Sequence, residues 1–438
     1  MPRARRPDRG GRDGARKARP RRGQPLDGSA PAYSSEGARR PQPGTRSAAN
    51  GRGMEAPVPS TPAGPLPYLA PIDGLRALAM AAVLASHLPC PDVPPALAVP
   101  WHLANEAWVG TVAVDVFFVL SGFLITRILL RQILLTGRVD LGRFYLNRAL
   151  RIVPAYYVCL LVATLLVRHV SPYTVSALTY TLNYYQPLHP ASFTMEHAWS
   201  LAVEEQFYLV WPLLLALVPL AWVRWLTRAV LPGIAVLAAV ALAESLPAEL
   251  SAELIYKSLP TRMLSLSLGA WIAFREAEGR SASGLSCLAT VAAGIATMGL
   301  GLLGRRLGYV PAGGWYWCPT LVGCALLSYG IVAHLAVGRP ASWLSGLLAA
   351  APLRSLGRIS YGTYLYHLVV IYALGVHEAQ LGGRVPAGLT VATALGLSLA
   401  LGALSHRLVE RPFLQLRDAA WRLPSPRRLR PGRPGPAA

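Results

Sequence analysis

From Trp108 to Leu130 the chain reads WVGTVAVDVFFVLSGFLITRILL, twenty-three residues in which only Asp115 and Arg127 carry charge. That length of apolar sequence matches the roughly 20 residues a helix needs to cross a bilayer. In lipid every backbone N–H and C=O must be satisfied within the structure, so an unbroken apolar run of this kind reads as a helix. Similar runs recur at Leu201 to Val223, Leu285 to Leu303, Thr320 to Val337 and Pro386 to Leu404. Across all 438 residues, 53% are hydrophobic and 14% charged. Soluble domains carry about 25% charged residues, enough to cover a wetted surface, and this chain falls well short of that. The fold predicted is an all-α polytopic membrane protein with about ten transmembrane helices.

The spans are drawn roughly at 72–88, 108–130, 151–168, 199–222, 229–245, 259–275, 285–303, 316–337, 358–376 and 386–407. The stretch 172–186, PYTVSALTYTLNYYQ, is too short and too polar for a crossing and is assigned to the outer interface. Three segments follow: a basic Pro/Gly/Arg-rich tail at 1–66, a membrane domain at 67–415 and a second basic tail at 416–438. The first tail lacks the apolar side chains that would offset chain entropy, so it is expected to be disordered. Met54, at the change in composition, is an alternative start.

The formal net charge of +21 sits mainly in the tails. Residues 1–53 hold fourteen Lys/Arg against four acids, and the segment from Arg407 onward holds eight Arg against two, together 16 of the 21 charges. Basic segments flanking membrane spans fix orientation and attract anionic lipid; this placement argues against nucleic acid as a partner. No Lys or Arg lies in the loop from Pro89 to Ala107, whereas the next loop is rich in arginine. The alternation puts both termini in the cytoplasm, with Arg305 and Arg306 as the one disagreement. No cleavable signal peptide is visible, because the first apolar run begins only after about 70 residues. The five cysteines are odd in number and form no CxxC pair, so neither a disulfide framework nor a metal site is indicated.

Charged groups inside a span cost about 2.5–3.5 kcal/mol each and therefore face a partner or a cavity. In the first span, DGLRALAMAAVLASH sets Arg76 eleven residues before His87. Eleven residues make three turns, so both share one stripe, about 16 Å apart. His87 is suited to act as a general base at neutral pH; the plainer reading is an orienting arginine and an incidental histidine. Asp115 needs a buried partner, which an arginine or histidine of the first span would supply. Arg148 and Arg151 share a face at the mouth of the third span and suit a phosphate, or else serve only as an inside-positive cluster. In HAWSLAVEEQFYLVWP, Glu204 and Glu205 point about 100° apart, so one is expected to orient His87 and the other to pair structurally. In LGRISYGTYLYH, Ser360, Tyr361, Tyr364 and His367 offer hydroxyls beside an imidazole for a polar substrate; interfacial tyrosines are also common without such a role.

Taken in order, Arg76 with His87, Asp115 to Thr126, Arg148 with Arg151, Trp199 to Tyr208, Ser360 to His367 and the ERP of Glu410 to Pro412 form a specific set. With these motifs the chain resembles the membrane acyltransferase 3 family, bacterial integral membrane proteins that move acyl groups onto hydroxyls of glycans, lipids or antibiotics. The resemblance covers about 70 to 415. It implies acyl-CoA as co-substrate with no bound cofactor, Arg148 and Arg151 near the donor phosphates, and His87 as base or transient acyl carrier aided by a carboxylate. It places the protein in the bacterial cytoplasmic membrane. Some members continue into an extracytoplasmic domain; here only about 25 residues follow ERP, so the chain is expected to act alone or with a separate extracytoplasmic partner. The rival class is a polar-metabolite transporter using the same buried groups as a relay; no internal repeat of the kind many transporters show is evident.

Overall fold

The computed structural model describes residues 66–88, 109–190, 194–311, 313–338, 342–375 and 387–422. The expectations for the first tail, Met54, Cys90, the loop 89–107 and the end of the second tail lie outside the described residues. All regular structure among the described residues is helical. The elements are α1 (Ala70–His87), α2 (Val109–Thr136), α3 (Leu141–Val167), α4 (Pro172–Leu178), α5 (Leu182–Leu188) and, after a 3-10 turn at Glu196–Ala198, α6 (Trp199–Leu217). Next come α7 (Leu220–Trp225), a π turn at Leu226–Val230, α8 (Leu231–Ser245), α9 (Ala248–Lys257), α10 (Leu259–Ala277), α11 (Gly284–Arg306) and α12 (Gly314–Val337). The chain then forms α13 (Trp343–Leu348), α14 (Ala351–Ala373), α15 (Ala387–Ser405), a π turn at His406–Glu410 and α16 (Arg411–Arg422).

Seven helical stretches are long and apolar enough to cross a membrane: α2, α3, the 3-10 turn with α6, α7 to α8, α11, α12, and 389–417 across α15 and α16. The count of about ten is not reached by this measure. The other three expected spans, α1, α10 and α14, are helices of 18, 19 and 23 residues. They carry too many polar groups to qualify by composition. Thr261, Arg262, Ser265 and Ser267 of α10 and Ser360, Thr363 and His367 of α14 are all buried in protein. A helix ringed by other helices needs an apolar surface only where it meets lipid, so polar side chains can be accommodated against protein.

In α2, 72% of the apolar window is buried inside the protein, and in α12 61%, against 17% across α7 to α8 and 22% in α11. Around this centre α10 lies against α2, α14 against α1 and α15, and α11 against α12. The crossing of α2 on α10 is close from both sides. A Cβ added at Gly122 would stand 2.0 Å from the Leu266 carbonyl oxygen, and one at Gly269 would stand 2.0 Å from that of Val119. Only glycine permits this approach. Overpacking costs about 1–3 kcal/mol even where side chains can yield, and here backbone meets backbone. Gly122→Ala is therefore expected to lower the thermal midpoint of the detergent-solubilised protein by several degrees. An unchanged midpoint would show that the crossing is loose.

The stretch 172–186 forms α4, which lies against α3, and α5, which lies against α6. Gln206 of α6 donates to the Tyr180 carbonyl at 2.8 Å and to Asn183 at 2.9 Å. Tyr180 takes a left-handed conformation at φ 52° to make the turn between them. Helix α3 begins ten residues before the expected 151, with Asp140 capping it through the Arg143 N–H at 2.9 Å. That cap carries Arg148 and Arg151 inside a continuous helix.

Candidate active site

The polar residues fall into two groups at opposite ends of α1. At the Arg76 end, Arg148 lies 3.5 Å above the Tyr208 ring and 3.8 Å from Glu205. Tyr208 donates to Ser121 at 2.7 Å, and Ser121 donates to Glu204 at 2.5 Å. Arg76 pairs with Asp73 at 3.9 Å. Arg76 and Arg148 are both close enough to Arg151 for their charges to repel it. Arg151 is exposed and forms no salt bridge with a described residue. Three guanidinium groups thus share one region, an arrangement that an anion would relieve. Glu410 lies nearby and pairs with His406 at 3.2 Å.

At the other end His87, His197 and His367 cluster. The rings of His87 and His367 are 5.0 Å apart and those of His197 and His367 4.7 Å, both edge to face. His87 Nδ1 is 2.8 Å from the Val83 carbonyl, which can only accept, so Nδ1 carries the proton and the neutral ring has its lone pair on Nε2. His367 Nδ1 donates in the same way to the Tyr364 carbonyl at 2.6 Å. Tyr364 is held by Ser200 at 2.6 Å and donates to the His197 carbonyl at 3.0 Å. Among the described residues no group of His, Cys, Asp or Glu is placed to hold a metal ion.

A cavity of about 790 Å³ opens against this cluster. His87, His197 and Tyr364 line it; His367 lies behind them. Small-molecule sites occupy about 300–1,000 Å³, so the cavity has room for a substrate beside an imidazole.

Several expected partnerships are replaced by others. Asp115 does not meet a residue of the first span. It accepts from Arg262 of α10 at 2.8 Å and from Ser265, and Asp115 and Arg262 are 0% and 1% exposed. Arg262 also donates to the Tyr256 carbonyl at 2.7 Å and sits 4.6 Å from the Tyr256 ring. Neither Glu204 nor Glu205 is brought to His87; both belong to the arginine end, about 10 Å along α6 from His197 by helical rise. Ser360 donates to the Gly357 carbonyl at 2.8 Å, and Tyr361 ties α14 to α3 through the Ile152 carbonyl at 3.1 Å. Both are thus held in packing rather than beside the cavity. His197 is the residue that sequence reasoning passed over. Its signal was its place just ahead of the Trp199 to Tyr208 motif, where a histidine in a short turn belongs to no helical stripe.

A bundle of apolar helices enclosing an arginine cluster and a histidine-lined cavity is the frame of a polytopic membrane protein. The chain belongs to the acyltransferase 3 family: residues 69–405 match the family described as an acyltransferase domain. It is 30% identical over 332 residues to a protein named peptidoglycan O-acetyltransferase OatA from Listeria monocytogenes, covering 69% of this chain and 49% of that protein. It is also 24% identical over 375 residues to O-acetyltransferase OatA of Staphylococcus aureus, covering 79% of this chain and 57% of that one. The chain thus spans about half the length of the curated relatives it matches. No solved structure matches it.

Proposed function

We propose that the protein is an integral membrane O-acyltransferase that moves an acyl group from acyl-CoA to a hydroxyl of a glycan, glycolipid or antibiotic-type metabolite. The observation that carries this reading is the pairing of sites along α1: an arginine cluster at one end and His87 facing a cavity at the other. The two are about 16 Å apart by helical rise, a separation suited to a long thioester-bearing arm. Arg148 and Arg151 hold the donor phosphates. His87 Nε2 takes the proton of the acceptor hydroxyl as its oxygen attacks the thioester carbonyl, and the departing thiolate is then protonated. Relatives named as O-acetyltransferases support acetyl as the group transferred.

In this reading α1, α10 and α14 also cross the bilayer, giving ten spans, with the arginine end cytoplasmic and the cavity facing outward. The basic tails support that orientation.

Arg151→Ala tests the donor site with little effect on packing, because the side chain is exposed and makes no salt bridge with a described residue. A charge-assisted hydrogen bond is worth about 1.5–3 kcal/mol. The half-saturating concentration of acetyl-CoA is therefore expected to rise about tenfold or more in membrane vesicles. The rise should be larger at low salt than at high salt, because the site is partly exposed. Unchanged donor dependence in both Arg151→Ala and the double variant with Arg148→Ala would reduce the pair to an orientation signal.

A further inference from the structure

Helix α9, AELSAELIYK, was not foreseen between the two long spans that flank it. It buries Ser251 and Ile255 against the bundle. Its other side puts Glu249, Glu253, Tyr256 and Lys257 on the cavity opposite His87. Tyr256 continues an aromatic wall, 4.8 Å from Trp199 on one side and 4.9 Å from Trp317 on the other, centroid to centroid. Glu253 is paired with Lys257 at 2.5 Å, whereas Glu249 is exposed and forms no salt bridge with a described residue. With Glu196 and Arg305 added, the lining holds three carboxylates against two cations.

A second observation points to a ligand. His197 is 2% exposed and lines the cavity; the Leu365 backbone lies beside its ring, but neither ring nitrogen makes a hydrogen bond of normal geometry with a described residue. A buried polar group left unsatisfied is costly unless something else fills the role. A neutral imidazole offers one donor and one acceptor, which matches a hydroxyl.

We infer that this cavity is the acceptor subsite, built for a neutral or amine-bearing pyranose: the apolar face of the ring lies on Tyr256 and Trp317, a hydroxyl meets His197, and Glu249 faces an amine. This rests on the acyl-transfer reading and adds the residues that select the acceptor. The surplus of carboxylate disfavours a uronic acid in the same place.

The test is calorimetric titration of the full chain in lipid nanodiscs with tetramers of glucosamine, N-acetylglucosamine and galacturonic acid, without donor. The expected order of affinity is glucosamine, then N-acetylglucosamine, then galacturonate. Trp317→Ala is expected to weaken the first two about tenfold, the scale of a lost aromatic contact. Glu249→Gln, on an exposed side chain where folding is not at stake, should erase the advantage of glucosamine over N-acetylglucosamine. Absence of saturable binding by all three, equal binding of galacturonate, or a Glu249→Gln variant that keeps the glucosamine preference would overturn the subsite. Acyl transfer from acetyl-CoA is read separately. Transfer without these binding signatures overturns the subsite alone, whereas glycan binding with no transfer from any acyl-CoA overturns the proposed activity.

Discussion

His87→Gln is expected to lose acyl transfer almost as completely as His87→Ala, by about 10² to 10⁴-fold, the usual worth of a general base. The structure explains why the two variants should agree. The Nδ1 proton of His87 is held by the Val83 carbonyl at 2.8 Å, which fixes the tautomer and puts the ring's lone pair on Nε2. Glutamine can keep a hydrogen bond of that kind, but its amide does not take up a proton near neutral pH. A histidine that only packs would behave in the opposite way: glutamine would be tolerated, and alanine would chiefly reduce the amount of folded protein. Activity should also fall at the acid end of the range, since a protonated ring has no lone pair to offer. The measurement is acetyl transfer in membranes at matched protein level, from pH 5 to 8. Full activity in His87→Gln would remove both the base and the acyl-carrier role. His197 would then be the next centre to test, since it lines the same cavity while His367 does not.

The second large effect is expected in stability. Arg262→Met would leave Asp115 buried at 0% exposure without its counter-charge. Removing one partner of a buried ion pair costs about 3–5 kcal/mol, a large part of the margin of most proteins. The single variant should therefore be recovered from membranes mainly as aggregate, or with a thermal midpoint far below that of the parent. Replacing both residues with apolar ones, Asp115→Leu with Arg262→Met, should restore much of the loss, because the desolvation penalty of both charges goes with them. A readout by size-exclusion chromatography in detergent separates the cases. A single variant as monodisperse as the parent would mean that the pair is wetted in the membrane. A double variant as poor as the single would mean that Arg262 acts through its stacking on Tyr256 and the cavity wall.

Helix positions were legible because lipid imposes them. The expected span 259–275 became α10 at Leu259–Ala277, and 285–303 became α11 at Gly284–Arg306. The misses share one cause. The first ten residues of α3 and the whole of α9 are helical without being apolar, because each has a polar side, so a search for span-length hydrophobic runs passes over them. The more polar helices α1, α10 and α14 were read as spans, and their composition alone falls short of one.

The candidate site divides along the same line. Arg76 and His87 on one stripe of α1, and Arg148 and Arg151 on one face of α3, follow from helical periodicity within a single element, and the sequence by itself determined them. It also determined the helical membrane class, through apolar runs that only helices or closed barrels can satisfy, and the family, through ordered motifs. Partnerships between elements were another matter. That Asp115 meets Arg262, that Glu205 meets Arg148 instead of His87, and that His197 joins His87 across His367 depend on which helix faces lie together. Side-chain periodicity gives each helix a polar face but not the neighbour that covers it. That choice is made by close packing between distant segments, such as the reciprocal contact of Gly122 and Gly269, and it exists only in the folded bundle.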